Sequence, residues 1–223
     1  MFRFESPLYP IADADSCADV VALAAAMLDG GARLIQLRAK AASTRELVGL
    51  GRAVRARSDA AGAQLIINDR VDVARLIGAA GVHLGQDDLP ASAARAQLGP
   101  HAVIGVSTHN LAQLDAAVGE AVADYLAYGP IFETASKANP DPTQGLAALR
   151  AVRARCARPL VAIGGITLER VAEVRAAGAD AVAVIAAIAG AADPAAATRA
   201  LLAELLPLKK GGSATARRSP AGS

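Results

Sequence analysis

The run VHLGQDD, residues 82–88, ends an apolar segment on two adjacent acids, Asp87 and Asp88. A similar run, LIINDR at 65–70, ends on Asn68 and Asp69, and QLRAK at 36–40 supplies Gln36, Arg38 and Lys40. Carboxylates gathered in one place either share a proton or hold a cation. Two cations and an amide on one edge suit a diphosphate or a carboxylate. Magnesium favours one or two carboxylates together with phosphate oxygens and water. Asp69 paired with one of Asp87 and Asp88, beside Arg38 and Lys40, therefore suits Mg²⁺ carrying a diphosphate. Helix capping is the simpler alternative for each acid taken alone, with Pro90 in the first turn after Asp88.

Further polar residues follow other apolar runs. GVSTHN offers Ser107, with His109 or Asn110 available to cap a helix. There is no G-x-S-x-G, so Ser107 is not read as an acyl nucleophile. The segment GPIFETASKANPDPTQG, 129–145, is long for a connection within a compact domain and carries Thr134, Ser136 and Lys137. AIGGIT places Gly164 and Gly165 where a ligand can approach the backbone closely. His83 lies within its run and is expected to be an interior residue, not a catalytic one.

These residues need elements to position them. Short, nearly continuous apolar runs occur at 8–12, 33–38, 64–68, 81–85, 102–106, 124–129, 159–165 and 180–185. Such runs suit parallel strands covered on both faces. Stretches of helical periodicity separate them, among them ADVVALAAAMLDGG, stopped by Gly30 and Gly31. STRELVGLGRAVRARSDAAG opens on Ser43 or Thr44 with Glu46 in its first turn. Eight strands alternating with helices predict a single α/β domain, a parallel (β/α)8 TIM barrel over 1–206. No GxGxxG follows the first strand, which disfavours an open doubly wound sheet. In such a barrel the active site lies at the C-terminal strand ends, where all the residues above fall. Exposed N–H groups after the last two strands there form a second, backbone-built phosphate site. A diphosphate site beside a monophosphate site suggests joining two phosphorylated substrates with diphosphate as leaving group.

Composition agrees with this and excludes other classes. Hydrophobic residues make up 53% of the 223, enough for a large core, while aromatics are only 3%. That leaves little for stacking on nucleic-acid bases. A net charge of +2 is too small to imply a polyanionic partner. Cys17 and Cys156 have no metal-ligand spacing, and no run is long enough to span a membrane. The opening residues lack a signal-peptide pattern, so a cytoplasmic protein is expected. Residues 207–223, rich in Gly, Ser, Pro and basic side chains, are expected to form a disordered tail.

QLRAK, LIINDR, GVHLGQDD, IGVSTHN, YGPIFET-(x)2-K, TQG and AIGGIT, in this order, resemble the thiamine-phosphate synthase family over roughly residues 8–206. The resemblance implies a transferase that joins 4-amino-2-methyl-5-hydroxymethylpyrimidine diphosphate to a thiazole phosphate. Thiamine phosphate and diphosphate would be the products of a dissociative, Mg²⁺-assisted substitution. It places the pyrimidine diphosphate on Gln36, Leu37, Arg38, Ala39, Lys40, Asn68, Ser107 and Lys137. It places Mg²⁺ on Asp69 and Asp88, leaving Asp87 a solvated neighbour or cap. The thiazole phosphate falls to Thr134, Ala135, Ser136, Gly165, Ile185 and Ala186. Arg38, Lys40, Lys137 and Ser107 carry the chemistry in this scheme. Ser136 stands where Thr is common and keeps the hydroxyl; Ala186 stands where Ser is common and keeps only the backbone N–H. The alternatives are the thiazole tautomerase of the same pathway, with His109 as its base, and a non-catalytic barrel that binds a phosphorylated metabolite. Small-molecule partners are implied, with no nucleic acid or membrane, and homo-oligomer formation stays open.

Overall fold

A computed structural model describes residues 2–134 and 142–206. Eight parallel strands close into a barrel in sequence order: β1 (Leu8–Asp13), β2 (Leu34–Arg38), β3 (Gln64–Asn68), β4 (Gly81–Leu84), β5 (Val103–Thr108), β6 (Tyr125–Tyr128), β7 (Leu160–Ile163) and β8 (Ala181–Val184). The helices that follow β1 to β7 are α1 (Val20–Asp29), α2 (Thr44–Ala60), α3 (Val71–Ile77), α4 (Ala91–Leu98), α5 (Leu111–Glu120), α6 (Gly145–Arg155) and α7 (Val171–Ala176). After β8 come a single turn, α8 (Ala186–Ala189), and the closing helix α9 (Pro194–Leu205). Alternation of eight strands and helices predicts one helix after the last strand, and the short α8 precedes it. The intervening turn fits the alanine-rich IAAIAG, which is too short to extend before Asp193 caps α9 through Ala196 N–H.

Local signals account for most boundaries. Ser43 caps α2 and forms a reciprocal capping box with Glu46, while Asp19 caps α1 and Asn110 caps α5. Gly30 ends α1 as expected. The 3-10 turn Leu168–Arg170 intervenes between Thr167 and α7.

Period-two alternation divides the core in two. One set packs inside the barrel: Tyr9 and Ile11 of β1, Leu34 of β2, Ile66 of β3, Tyr125 and Ala127 of β6, Val161 of β7. Phe2 and Phe4 close the N-terminal end beneath Tyr125, with ring centroids 5.9 and 5.4 Å from it. The other set, including Leu8, Ile35, Leu37, Ile67, Val82, Ile104 and Leu126, fills the layer between strands and helices. Each fully buried aliphatic side chain there contributes about 1.5–3 kcal/mol of burial free energy. Continuing the inward phase toward the C-terminal ends brings Asp13, Gln36, Arg38, Asn68, His83 and Ser107 to the barrel mouth. Among the described residues no helix is long and apolar enough to cross a membrane.

Candidate active site

One part of the mouth is built on the neighbouring ends of β1 to β5. Register pairs Asp13 with Arg38 across β1 and β2, and Asn68 with His83 across β3 and β4. Arg38 Nη1 donates to Asp13 Oδ2 at 2.6 Å, with Asp15 Oδ2 at 3.5 Å. Asp13 is almost fully buried, so its charge is compensated locally by the guanidinium. Leu37 and Ala39, between the polar members of QLRAK, turn into the outer core. A ligand at the mouth therefore meets them only through their backbone.

Asp69 follows β3 with φ 62, a left-handed conformation that Asp tolerates better than most residues. Its N–H donates to the His83 carbonyl at 2.8 Å. The capping alternative is not realised, because Arg70 occupies the N-cap position of α3 and makes no side-chain cap bond. The Asp69 carboxylate instead meets Lys40 Nζ at 3.2 Å. Burial, and then the neighbouring Asp88 carboxylate, push the Asp69 carboxyl above its ordinary value, while the Lys40 ammonium opposes them. Asp88 is anchored by the Gly85 N–H, which donates to its Oδ2 at 2.7 Å. Asp87 is exposed and is not the N-cap of α4, a position taken by Pro90.

Burial and the neighbouring Asp88 thus make the ionised form of Asp69 unfavourable beside a cation-rich edge. Among the described residues no cluster of three or more His, Cys, Asp or Glu could form a protein cage for a metal. Two carboxylates, with the remaining positions left to phosphate and water, fit Mg²⁺.

Ser107 lies inside the mouth on β5. Its hydroxyl is 2.8 Å from His83 Nε2, and Gln86 Nε2 donates to its carbonyl at 2.5 Å. His83 is the interior residue expected from sequence, but it also links to Tyr125, whose hydroxyl is 2.9 Å from Nδ1. Tyr9 completes the row, 2.9 Å from the Tyr125 hydroxyl and 2.9 Å from Gln36 Nε2. Asp13, Tyr9 and Tyr125 were not singled out from sequence. Alternation from Ile11 would have pointed Asp13 and Tyr9 inward.

A second part of the mouth lies across the barrel. Phe132 N–H donates to the Gly164 carbonyl at 3.0 Å, so the chain leading to Thr134 runs beside the β7–α7 loop. Gly165 has φ +63, and a Cβ there would strike the Glu133 carbonyl and lie 2.8 Å from Phe132 Cβ. The Arg170 guanidinium stacks 4.3 Å above the Phe132 ring and donates to the Gly165 carbonyl at 3.1 Å. Ile185 is the N-cap of α8, so the turn starting at Ala186 presents its N-terminus where β8 ends. Ala135, Ser136 and Lys137 lie outside the described residues, as does the segment 207–223 expected to be a tail. His109, the base required by the tautomerase alternative, has Nδ1 2.8 Å from the Gly129 carbonyl.

Comparisons with known proteins show the family and the fold. The family model described as thiamine monophosphate synthase matches residues 8–188. The thiamine-phosphate synthase of Moorella thermoacetica is 51% identical over 174 residues, covering 78% of this chain and 82% of that one. That of Koribacter versatilis is 49% identical over 185 residues, covering 80% and 87%. The solved thiamine phosphate pyrophosphorylase of Pyrococcus furiosus superposes with a TM-score of 0.81 at 36% identity, covering 89% of this chain and 94% of that one. With a match spanning all eight strands and a mouth arranged as described, the chain belongs to the thiamine monophosphate synthase family.

Proposed function

We propose that the protein is a thiamine-phosphate synthase, a transferase joining 4-amino-2-methyl-5-hydroxymethylpyrimidine diphosphate to thiazole phosphate. The observation that carries this reading is the convergence of Arg38, Lys40, Asp69 and Asp88 at neighbouring strand ends. Relatives about half identical over most of the chain bear the name of that activity.

In this reading Arg38 and Lys40 bind the diphosphate oxygens and draw charge from the breaking C–O bond. Asp69 and Asp88 hold Mg²⁺, whose chemistry there is to neutralise charge on the diphosphate. Gln36, Asn68 and Ser107 orient the pyrimidine, and the backbone at Leu37 and Ala39 lines its diphosphate. Thr134, Gly165 and the N–H groups at Ile185 and Ala186 receive the thiazole phosphate. Ala135, Ser136 and Lys137 enter the proposal from the sequence alone, with Lys137 as a further cation on the diphosphate. The bond from the pyrimidine methylene to oxygen breaks, the thiazole nitrogen bonds to that carbon, and diphosphate leaves. No protein nucleophile takes part.

Incubating the protein with both substrates and Mg²⁺ tests the reading directly. Appearance of thiamine phosphate and stoichiometric diphosphate is expected. Conversion of the thiazole alone would point to the tautomerase, and binding without turnover would point to a non-catalytic barrel.

A further inference from the structure

Below the mouth, five polar side chains form one continuous row of hydrogen bonds through the barrel interior. Gln36 Nε2 meets the Tyr9 hydroxyl, which meets that of Tyr125, each step 2.9 Å. Tyr125 meets His83 Nδ1 at 2.9 Å, and His83 Nε2 meets Ser107 Oγ at 2.8 Å. The two ends are residues that the proposed function sets against the pyrimidine. The three in the middle have no role in that scheme.

The register explains how the row crosses β5. His83, Gly105 and Tyr125 are lateral neighbours on β4, β5 and β6. A Cβ at Gly105 would run into the Tyr125 ring, with Cε2 at 2.5 Å. The missing side chain is the gap through which the phenol reaches the imidazole, and the two rings stack at 5.6 Å and 20°.

The row also has a direction. Gln36 Nε2 donates to the Tyr9 oxygen, and the ordering that leaves no buried hydroxyl proton without an acceptor then turns the Tyr9 proton to Tyr125. The Tyr125 oxygen is then an acceptor, and its proton points at His83 Nδ1. An imidazole accepting at Nδ1 carries its proton on Nε2 and donates it to Ser107 Oγ. The Ser107 hydroxyl proton is left to point at the ligand. Burial pushes the Tyr9 and Tyr125 phenols upward, so both hydroxyls stay protonated.

We propose that His83 is a positioning residue: held by Tyr125 as the Nε2–H tautomer, it fixes Ser107 as a hydrogen-bond donor facing an acceptor atom of the ligand. The acceptor that matches is a heteroaromatic ring nitrogen, which rests on the proposed function insofar as that ligand is the pyrimidine. A site built around a fixed donor discriminates strongly against a ring with C–H at that place.

The tautomer can be read without substrate or turnover. The chain has three histidines, so the His83 signals in ¹⁵N-histidine-labelled full-length protein are identified by their loss in His83→Gln. Long-range ¹H–¹⁵N correlation is expected to show the proton on Nε2 and none on Nδ1. A proton on Nδ1, alone or with one on Nε2, would reverse the row and overturn the proposal. The tautomer itself is read in the wild type, and His83→Gln serves only to assign its signals. Tyr125→Phe keeps the ring and removes the lock, and is expected to mix the tautomers. It should lower kcat/KM for the pyrimidine diphosphate about tenfold, the scale of one lost hydrogen bond, with the KM for thiazole phosphate unchanged. A single retained tautomer in that variant, or equal losses toward both substrates, also overturns it. Failure of the wild type to make thiamine phosphate would refute the proposed function while leaving the tautomer result standing.

Discussion

Asp13 Oδ2 lies 2.6 Å from Arg38 Nη1, joining residues that face each other in register at the ends of β1 and β2. The acid is almost completely buried and the guanidinium nearly so, with side-chain exposures of 3% and 14%. A buried cation that loses its partner destabilises a fold by about 3 kcal/mol, and Asp15 at 3.5 Å offsets part of that. Asp13→Ala is therefore expected to lower the urea midpoint of unfolding. Asp13→Asn keeps a hydrogen-bond acceptor but removes the charge that holds Arg38 in place. Its kcat/KM is expected to fall about 10²-fold, the scale of a misaligned binding group. Wild-type kinetics in Asp13→Asn would show that Arg38 needs no anchor.

At the proposed Mg²⁺ site, the Asp69–Asp88 pair costs the metal-free protein stability. Burial and the second carboxylate raise Asp69 in spite of Lys40, so the net effect on its ionised form is unfavourable. The Lys40 contact joins a mostly exposed ammonium and is worth about 0–1 kcal/mol. Asp69→Asn is expected to melt at a higher temperature than the wild type in metal-free buffer. Adding Mg²⁺ should raise the melting temperature of the wild type and leave that of the variant unmoved. Turnover should fall in the same variant. A variant less stable than the wild type without metal would contradict the repulsive reading of the pair.

Much of the barrel can be read from the chain because its strands are buried on both faces. QLIIN at 64–68 coincides with β3, and Ser43 with Glu46 marks the start of α2 as its capping pattern suggests. Strand ends also single out Gln36, Arg38, Asn68, Asp69, the adjacent Asp87 and Asp88, and Ser107, since polar residues after apolar runs stand out. The choice of Asp88 over Asp87 comes from the family resemblance. What escapes is long-range pairing inside the barrel. Tyr9 and Tyr125 are 116 residues apart and look like ordinary core aromatics until closure brings their hydroxyls together. Asp13 reads as the polar edge of a loop until β2 places Arg38 opposite. Asp69 looks like a helix cap by type and position. Only its backbone conformation, left-handed at φ 62 where an N-cap is extended, turns it toward Asp88.

The capping box at the start of α2 makes a pH prediction. Ser43 Oγ and N–H both donate to the Glu46 carboxylate, at 2.6 and 2.8 Å, and hold its pKa below the ordinary value. A carboxyl lowered on folding contributes stability above its unfolded pKa, and that contribution is lost as pH falls through the folded one. Glu46→Gln is therefore expected to be less stable than the wild type at neutral pH. The gap should close on acidification below the Glu46 folded pKa. Urea midpoints measured for both proteins across that range would show it. A gap independent of pH would mean that the ionised form has no special part in the cap.

Gly165 tests the second half of the mouth separately from the first. Its φ of +63 is unfavourable for any L side chain, and a Cβ there meets the Glu133 carbonyl and the Phe132 side chain. Those contacts are backbone and the Cβ of Phe132, whose ring is held under Arg170, so neither gives way easily. Gly165→Ala must therefore shift the chain that leads to Thr134, or the β7–α7 loop itself. Either shift moves the proposed thiazole-phosphate cradle and leaves β2, β3 and β4 untouched. The KM for thiazole phosphate is expected to rise about 10²-fold, as when a positioning element moves by an ångström or so. The KM for the pyrimidine diphosphate should stay within about twofold, since contacts separated by the barrel's width add independently. A rise in the pyrimidine KM instead would place the second phosphate elsewhere than Gly165.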